Sequence, residues 1–498
     1  MKLSSVLFGL ALAAPIVAQD IYDIWSTTWQ KDNQFTYKNL GSKHISFGSP
    51  GSTGTSDIKV DDSTYHQSIV GFGAAMTDSS AKLLNDLKSS SSDKYWALLK
   101  YLFDPTDGAN AAGFTYLRVP LGASDFSAKV YSFDDTSGDT SLNDFNIDAA
   151  PSYLFSVIND VLSINSDLKV HVCPWSPPGW MKDGGSMNGG KFYTSMSDVF
   201  ANYLLKSLQG FKSKGITPWA ISIQNEPQNS NGHYPTALLD AYWEAKIGQT
   251  LRSLMDGNGF KDTLVVGYEH NWDDAGAYPV DLMNDATDAF DGVAFHCYEG
   301  HVSQQETFHD AFPNKNIYFT ECTGLFNGDW WGDTKAYLRN NVIGTVNNFA
   351  RNAAFWNLVL DGSGNPKLPG TTSCGGKNAC RGVITLNSDG SYTKNPEFYA
   401  LAQMSKGTIP KDKGGPSAQR IDASVGGNSN LLVSAFVTKR ASSSDEWRYS
   451  LVVLNQNDDN NGKWDPVDID ATIEFRGKQA KYTFPVGVTT LWWYASPE

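Results

Sequence analysis

The sequence predicts an α/β protein: a (β/α)8 TIM barrel with a β-sandwich domain at its side. Three observations support this prediction. Between residues 68 and 406, short β-branched or aromatic runs alternate with longer stretches at helical spacing. After Gly407 the helical spacing stops and strand-like runs follow. The chain has 498 residues and 41% apolar composition, which is enough to bury a large core in more than one domain.

Eight strand candidates define the predicted barrel. Helical stretches separate them, such as 199–211, where apolar residues recur at three- and four-residue steps. The candidates are 68–76, 115–122, 169–175, 219–226, 264–271, 293–298, 317–321 and 353–361. Eight such units match an elaborated TIM barrel. A doubly wound open sheet is the alternative, but the sequence lacks the Gly-rich nucleotide fingerprint that usually marks it.

The two ends of the chain together predict the β-sandwich. Strand-like runs at 431–437, 449–454 and 489–494, divided by Asn, Asp, Gly and Ser turns, indicate an all-β domain over residues 407–498. The Ser-, Gly- and Thr-rich stretch from Trp25 to about Asp62 also has the composition of strands and turns. We therefore expect residues 19–62 to complete the sandwich, with the barrel over residues 63–406.

The N-terminus predicts secretion. Lys2 precedes the apolar run 6–12, and small residues follow up to Ala18. This pattern is typical of a signal peptide, here residues 1–18, and of an extracellular protein. A membrane anchor is the alternative, but the apolar run is shorter than the roughly 20 residues that a span needs. No later segment is predicted to span a membrane, and the absence of an Asn-x-Ser/Thr sequon predicts no N-glycosylation.

Five cysteines leave at least one unpaired within the chain. Cys374 and Cys380 bracket a Gly-rich loop and form the predicted disulfide. Cys173, Cys297 and Cys322 lie in strand-like runs, either as buried thiols or with one further bridge among them. A metal site on these three would need Cys or His pairs at ligand spacing, which the sequence does not contain. No metal and no cofactor are predicted.

Charge and aromatic content narrow the class of ligand. The formal net charge is −14, and acidic residues are spread along the chain without a long basic run. This argues against nucleic acid or an anionic membrane surface as a partner. Aromatic residues make up 13% of the chain and include fifteen Trp, whose rings can stack on sugars, although most must belong to the core. A neutral ligand fits this composition better than a charged one, and we expect the chain to be a monomer.

Two glutamates end predicted barrel strands, which is where TIM barrels place their active sites. In the fourth strand, an apolar run leads to Asn225 and Glu226, and Pro227 stops the strand. The seventh ends on Glu321. Strands four and seven face each other across the mouth, so the two carboxyl groups can approach the ~5 Å separation of a retaining glycosidase. For either glutamate alone, a helix cap or a rim salt bridge is the alternative.

Seven motifs in one order resemble glycoside hydrolase family 30, in which a clan A barrel carries a side-associated β-sandwich. The family includes glucosylceramidases and fungal endo-β-1,6-glucanases. The resemblance covers nearly the whole mature chain. Its motifs are GFGAAMTD at 71–78, LRVP at 117–120 with SDF at 124–126, PWSPPGWMK at 174–182, QNEP at 224–227, FHCY at 295–298, FTEC at 319–322 and FWNL at 355–358.

The resemblance implies a role for each site residue. Glu226 is the implied acid/base, whose pKa we expect to rise beside an ionised Glu321, the implied nucleophile. Arg118 is implied to keep Glu321 ionised, with a structural ion pair as the alternative. Asn225 is implied to bind the sugar 2-hydroxyl, with a strand-end turn as the alternative.

A sugar-holding subsite is also implied. Its residues are Asp125, Trp175, His296, Tyr298 and Trp356. Any one aromatic side chain could instead belong to barrel packing. A metal at His296 is disfavoured, because no second His or carboxylate stands at ligand spacing beside it in the sequence. Trp330 and Trp331 are expected to line a leaving-group subsite.

The predicted activity is cleavage of β-glucosidic bonds by double displacement, as an endo-β-1,6-glucanase acting on fungal cell-wall β-1,6-glucan. Segments 224–230 and 268–271 are similar to fungal endo-β-1,6-glucanases. No cysteine precedes Cys173, whereas lysosomal glucosylceramidases have a Cys-rich N-terminus. A glucosylceramidase or an endo-xylanase of the same family is an alternative. A non-catalytic carbohydrate-binding cell-wall protein is another, but it predicts loss of Glu226, Glu321 or Asn225.

Overall fold

The computed structural model describes residues 19–49, 57–375 and 379–497. The predicted signal peptide, residues 1–18, lies outside these ranges. Across the ranges described, no helix has both the length and the apolar character that a membrane crossing requires.

Eight parallel strands form the barrel, in which the first seven strands pair with their neighbours in chain order and the eighth pairs with the first. They are β1 (Gly71–Ala75), β2 (Tyr116–Leu121), β3 (Lys169–Pro174), β4 (Ala220–Ser222), β5 (Leu264–Asn271), β6 (Gly292–His296), β7 (Asn316–Glu321) and β8 (Asn352–Phe355). The ring is nearly closed between β7 and β8, where Ile317 bridges Ala350 and the Phe319 N–H donates to Asn352 Oδ1 at 2.9 Å. The predicted barrel is confirmed.

Two predicted strands are shorter than expected. The predicted strand 219–226 forms regular strand pairing only over Ala220–Ser222. Beyond it, the Glu226 N–H donates to the Glu269 carbonyl oxygen at 3.0 Å, outside the regular pairing. The predicted strand 353–361 divides into β8 and Val359–Leu360. Asn357 between them has a φ of 65°, which ends an extended strand.

A glycine explains part of the first motif. A Cβ on Gly73 would lie 1.8 Å from the Tyr116 carbonyl oxygen. Only glycine therefore lets β1 approach β2 at this point.

Helices cover the barrel. Thr77 caps the first of them by accepting a hydrogen bond from the Ser80 N–H. Arg339 lies in the π-helical turn Tyr337–Val342, which joins two short helices. The α-helices are Asp78–Ser90, Ser92–Phe103, Ser152–Ile164, Ser197–Ser213, Ala241–Gly257, Tyr278–Ala286, Gln305–Ala311, Trp330–Ala336, Ile343–Asn347 and Pro396–Thr408.

A nine-stranded, mostly antiparallel sheet forms the sandwich-like domain. Strand Asp23–Thr28 pairs with Gly487–Ala495, and Asp57–Ser68 pairs with Gln419–Gly426, so both ends of the chain build this domain, as predicted. The spatial order is Lys478–Phe484, Ile469–Phe475, Asp57–Ser68, Gln419–Gly426, Leu431–Thr438, Trp447–Asn455, Gly487–Ala495, Asp23–Thr28 and Gln34–Asn39. The domain boundaries at 62/63 and 406/407 stay predictions.

In the described residues, three short strand pairs and one three-stranded sheet complete the fold. They are Asp20–Ile21 with Ile45–Ser46, Gly324–Leu325 with Cys380–Arg381, Val359–Leu360 with Ile384–Leu386 and Tyr392–Lys394, and Asp459–Asn460 with Lys463–Trp464.

One buried helix fastens the sandwich to the barrel. Every residue of Pro396–Thr408 is buried. Its Gln403 donates to Thr27 Oγ1 at 3.0 Å and accepts from Thr490 Oγ1 at 2.8 Å, and those residues belong to the two ends of the chain. Because a buried amide must satisfy its hydrogen bonds, these contacts set the position of the sheet on the helix.

Candidate active site

A cleft of about 870 Å3 opens where the barrel strands end. Six of the predicted site residues line it: Asp125, Trp175, Glu226, Tyr298, Glu321 and Trp356. It is further lined by Gln228, Asn229, Tyr234, His270, Asn271, Asp273, Glu299, Thr323, Leu325, Ser373, Cys374 and Gly375. Carboxylates, amides and aromatic rings therefore face one open space, as carbohydrate ligands require.

Glu226 stands in a turn after β4. Its φ is 45°, a left-handed conformation that is uncommon for glutamate and especially for a residue before proline. Its backbone N–H donates to the Glu269 carbonyl, and Asn229 Nδ2 donates to Glu226 Oε2 at 2.7 Å. The residue is only 9% exposed and lines the cleft. These contacts maintain a strained backbone that places the carboxyl group in the cleft.

Glu321 ends β7 and has two hydrogen-bond donors. Arg118 Nη1 donates to Glu321 Oε2 at 2.6 Å, and the Tyr298 hydroxyl donates to Oε1 at 2.9 Å. Arg118 is fully buried and also donates through Nη2 to Asn225 Oδ1 at 2.6 Å. The carboxylate is therefore oriented by both of its oxygens.

His296 connects the two sides of the site. Its Nδ1 lies 3.3 Å from Glu226 Oε1, and its Nε2 lies 3.3 Å from Glu269 Oε2. The ring is fully buried. A protonated His296 would donate to both carboxylates at once.

Glu269 is a residue of the site that was not predicted from the sequence. Its fully buried carboxylate accepts from Arg118 at 2.9 Å, from Ser222 at 2.5 Å and from Thr320 at 2.6 Å, besides facing His296. The side chain therefore joins residues from β2, β4, β6 and β7. The signal for it was present, since Glu269 belongs to the polar run that ends β5, where barrels carry their chemistry.

A second buried glutamate supports the conformation of β5. Tyr268 and Glu269 have φ values of 70° and 49°, and the strand pairing shifts register there. Glu244 Oε1, on helix Ala241–Gly257, accepts from the Tyr268 N–H at 3.0 Å. This bond stabilises the bulge that turns Glu269 into the barrel.

Replacing Glu269 with Gln is expected to lower the free energy of unfolding by about 3 kcal/mol, because it leaves buried Arg118 with one carboxylate fewer. Urea unfolding followed by circular dichroism measures this. The matched control is Glu299→Gln, an exposed carboxyl group of the same cleft, which should change stability by less than about 0.5 kcal/mol. Equal effects of the two substitutions would contradict a supporting role for Glu269.

The buried charges act on one another. Burial lowers the pKa of His296, but the carboxylates of Glu321, Glu226 and Glu269 more than offset this and raise it to about 9. Burial raises the pKa of Glu226, but its hydrogen bond to His296 and the charges around it bring it down to about 2. The pKa of Glu226 therefore does not rise as expected, because His296 lies next to its carboxyl group, a contact that the sequence does not reveal. Burial raises the pKa of Glu321, against the opposing charges of His296 and Arg118.

Two other buried carboxyl groups predict a pH dependence of stability. Burial raises the pKa of Asp125 to about 7 and that of Glu244 to about 7. The folded chain keeps these protons at pH values where the unfolded chain has released them, so stability falls as the pH rises from about 4.5 to 7. Urea midpoints at pH 4.5, 5.5 and 7 should decrease in that order, and less steeply in Glu244→Gln. A flat series in the wild type would contradict the assignment.

An aromatic wall forms one side of the cleft. The rings of Trp175 and Trp356 stack with centroids 4.7 Å apart, and the Arg118 guanidinium lies 4.6 Å from the Trp175 ring. Asp125 is beside them in the cleft lining. Within the described chain, its buried Oδ1 has no hydrogen-bond partner, so it is available to accept from a ligand hydroxyl.

Two disulfides border the site. Cys297 and Cys322 are joined and directly follow His296 and Glu321, so this bridge ties the ends of β6 and β7 together. Cys374 and Cys380 form the predicted bridge. Cys173 is a buried free thiol, 3.5 Å from Arg118 Nη2. The sequence had left the pairing of Cys297 and Cys322 open.

The expectation for Trp330 and Trp331 is wrong. Both line a different hollow, together with Trp29 and Trp464, and are not among the cleft-lining residues. Trp331 is buried and donates through Nε1 to Asp458 Oδ2 at 2.5 Å. Proximity in sequence to β7 did not bring these rings to the cleft, because helix Trp330–Ala336 turns toward the sandwich.

Three side chains converge closely enough to hold a metal ion: Glu226, His270 and His296, whose ligand atoms lie within 4.8 Å of one another. Contrary to the expectation from the sequence, a second histidine lies beside His296, since His270 comes from the neighbouring strand. Both ring nitrogens of His296 already face carboxylates, so hydrogen bonding explains its position. The absence of a metal from the reaction stays a prediction.

A barrel that brings two buried glutamates into one cleft, beside stacked tryptophan rings, defines a glycoside hydrolase. The model of the glycosyl hydrolase family 30 TIM-barrel domain matches residues 69–408. The chain belongs to glycoside hydrolase family 30.

Two named proteins are similar to this chain in sequence, and one solved structure is similar to it in fold. An endo-1,6-β-D-glucanase of Trichoderma harzianum is 32% identical over 378 residues, which cover 72% of this chain and 73% of that protein. A lysosomal acid glucosylceramidase of Mus musculus is 27% identical over 371 residues, covering 68% of each chain. A solved structure of the endo-β-1,6-glucanase BT3312 matches with a TM-score of 0.80 at 24% identity, covering 96% of this chain and all of that one.

Proposed function

We propose that this glycoside hydrolase is an extracellular endo-β-1,6-glucanase that cleaves fungal cell-wall β-1,6-glucan by double displacement. Glu321 is the nucleophile and Glu226 the acid/base. The observation that carries the proposal is the difference between their environments. Arg118 and Tyr298 orient both oxygens of Glu321, whereas Glu226 accepts a hydrogen bond from Asn229 and lies beside the titratable His296.

In the first step, Glu321 attacks the anomeric carbon and the bond to the leaving sugar breaks. Glu226 gives its proton to the departing oxygen. In the second step, Glu226 takes a proton from water, which attacks the same carbon and releases Glu321. The two inversions together retain the configuration of the sugar.

Glu226 needs a proton for the first step, and His296 can supply it. In the free site, the proton stays on His296, whose pKa is raised to about 9. A bound sugar excludes water and strengthens the burial that disfavours an ionised Glu226. The proton then moves across the 3.3 Å contact from His296 Nδ1 to Glu226 Oε1.

The remaining residues hold the sugar. Because Asn225 Oδ1 is already bound by Arg118, the Asn225 NH2 group is the part that can donate to the sugar 2-hydroxyl. Asp125 Oδ1 accepts from another hydroxyl, and Trp356 packs against the apolar face of the ring.

The substrate proposal is supported by the Trichoderma harzianum relative, named an endo-1,6-β-D-glucanase. The test is product analysis of the purified chain on β-1,6-glucan, β-1,3-glucan, xylan and glucosylceramide. We expect soluble β-1,6-linked oligosaccharides from the first substrate. Cleavage of xylan alone, or of glucosylceramide alone, would contradict the proposed linkage while leaving the barrel chemistry intact.

The extracellular location is supported by the two disulfides, which are typical of oxidising compartments, and by the predicted signal peptide.

A further inference from the structure

A second hollow, of about 480 Å3, lies where the barrel meets the sandwich. We call it the tryptophan hollow. Four tryptophans line it with one residue of each charge: Trp29, Trp330, Trp331 and Trp464, with Lys31 and Asp329. The catalytic mechanism uses none of these side chains.

The rings of this hollow are more exposed than packing requires. Trp464 is 54% exposed, and Trp29 and Trp330 are half-buried. The Trp29 and Trp464 centroids lie 4.9 Å apart at 74°, so the two faces form a corner. The Lys31 ammonium lies 5.1 Å from the Trp330 ring. Indole surface left in water is unfavourable, and a cluster of it is typical of a binding site.

Hydrogen bonds to a buried aspartate fix the geometry of the hollow. Trp331 and Lys335, both on helix Trp330–Ala336, hold the buried carboxylate of Asp458 at 2.5 Å and 2.7 Å. Asp458 directly precedes the hairpin Asp459–Asn460/Lys463–Trp464, which carries the exposed ring. The barrel helix is thereby fastened to the sandwich hairpin, which keeps Trp330 and Trp464 in one hollow.

The chemistry of the hollow fits a neutral, polar ligand with flat apolar faces. A lysine and an aspartate beside the rings can donate to and accept from hydroxyl groups, and opposite charges disfavour a ligand of either net charge. A chain with net charge −14 also repels polyanions. Pyranose rings have apolar C–H faces that pack on indole and equatorial hydroxyls that reach the neighbouring polar groups.

The hollow is also connected to the cleft through one loop. Thr323 and Leu325, which follow Glu321, line the cleft, and Asp329 and Trp330 of the same segment line the hollow. We propose that the tryptophan hollow is a second binding site for a β-linked glucan chain, separate from the cleft, that retains the enzyme on polymeric substrate. This inference rests on the proposed function for the identity of the sugar.

The test measures binding without hydrolysis. In a Glu321→Gln background, the mature chain is incubated with insoluble β-1,6-glucan and the free protein is measured across glucan concentrations. Adding Trp464→Ala should raise the apparent dissociation constant at least fivefold, whereas Trp464→Phe should stay within twofold. Tyr242→Ala is the matched control, because Tyr242 is 51% exposed on another part of the barrel surface, and it should leave binding unchanged.

A second measurement separates this inference from the proposed function. With Glu321 intact, Trp464→Ala should hydrolyse a short soluble β-1,6-gluco-oligosaccharide with kcat/KM within twofold of the wild type. The wild type could hydrolyse β-1,6-glucan while Glu321→Gln binds glucan equally well with and without Trp464→Ala. That result would overturn the second binding site and leave the proposed function standing. If the wild type does not hydrolyse β-1,6-glucan, the proposed endo-β-1,6-glucanase function is overturned. Loss of β-1,3-glucan binding on Trp464→Ala would still support the hollow as a β-glucan site.

Two other outcomes would also overturn the proposed glucan-binding site. Equal losses from Tyr242→Ala and Trp464→Ala would mean nonspecific adhesion and overturn the site. A dimer seen by light scattering and abolished by Trp464→Ala, with unchanged glucan binding, would assign the hollow to a second copy of the chain instead. If circular dichroism shows that Trp464→Ala is unfolded, Trp464→Gln replaces it, with the same fivefold threshold.

Discussion

Replacing Glu321 with Gln is expected to lower kcat on β-1,6-glucan by at least about 10⁴-fold, because an amide cannot attack the anomeric carbon. Arg118 and Tyr298 will still contact the side chain, so the fold should be retained. Reducing-sugar release measures the rate, and circular dichroism checks the fold. Glu299→Gln, an exposed carboxyl group in the same cleft, should retain activity within about threefold.

The same nucleophile predicts the stereochemistry. Proton NMR during early turnover should show the β-anomer of the new reducing end first, since two inversions retain the configuration. In Glu321→Gly, azide can occupy the vacated space and should restore turnover, giving an α-glycosyl azide. An α-anomer as the first wild-type product, or full activity of Glu321→Gln, would contradict the double displacement.

Glu226→Gln should lower kcat on β-1,6-glucan by about 10²- to 10⁴-fold, because a sugar alkoxide leaves slowly without a proton donor. An aryl β-glucoside with an acidic phenol needs little protonation, so its first step should be nearly normal. The second step still lacks a base, and stopped-flow absorbance should show a burst of phenol followed by slow turnover. Equal losses on both substrates, with no burst, would contradict the acid/base role.

Azide rescue further distinguishes the roles of the two glutamates. In Glu226→Ala, azide needs no deprotonation and should accelerate the second step, giving a β-glycosyl azide, the opposite anomer to the one expected from Glu321→Gly. The pH profile gives an independent measurement. The limb of kcat/KM that reports Glu226 and His296 should disappear in this variant, because that pair holds the proton for the first step.

Much of the site could be predicted because its residues are marked by local pattern. Glu226 and Glu321 each follow a short apolar run, and the order of the runs places them on opposite sides of a barrel mouth. Trp175 and Trp356, at the ends of the third and eighth strands, were implied only by the resemblance to glycoside hydrolase family 30, and the structure stacks them in the cleft. The catalytic roles of the two glutamates stay proposals until the variants are measured.

The orientation of Glu269 could not be predicted from the local sequence pattern. The residue sits in a polar run like those of the other strands, and nothing in that run says that its carboxylate turns inward to Arg118. That orientation depends on two consecutive left-handed residues and on Glu244, which lies on a helix, 24 residues before Tyr268. A contact of this kind depends on the packing of several elements at once.

The sequence by itself determined the barrel, the contribution of both chain ends to the sandwich, the positions of Glu226 and Glu321 at opposed strand ends, and the Cys374–Cys380 bridge. Each depends on periodicity or on short separation along the chain. Only the tertiary structure decided the partner of Cys297, the contact between Glu226 and His296, the contacts of Glu269 and the place of Trp330 in a second hollow. These depend on distances through space between distant segments, because hydrogen bonds, charges and ring contacts act over a few ångströms regardless of chain order.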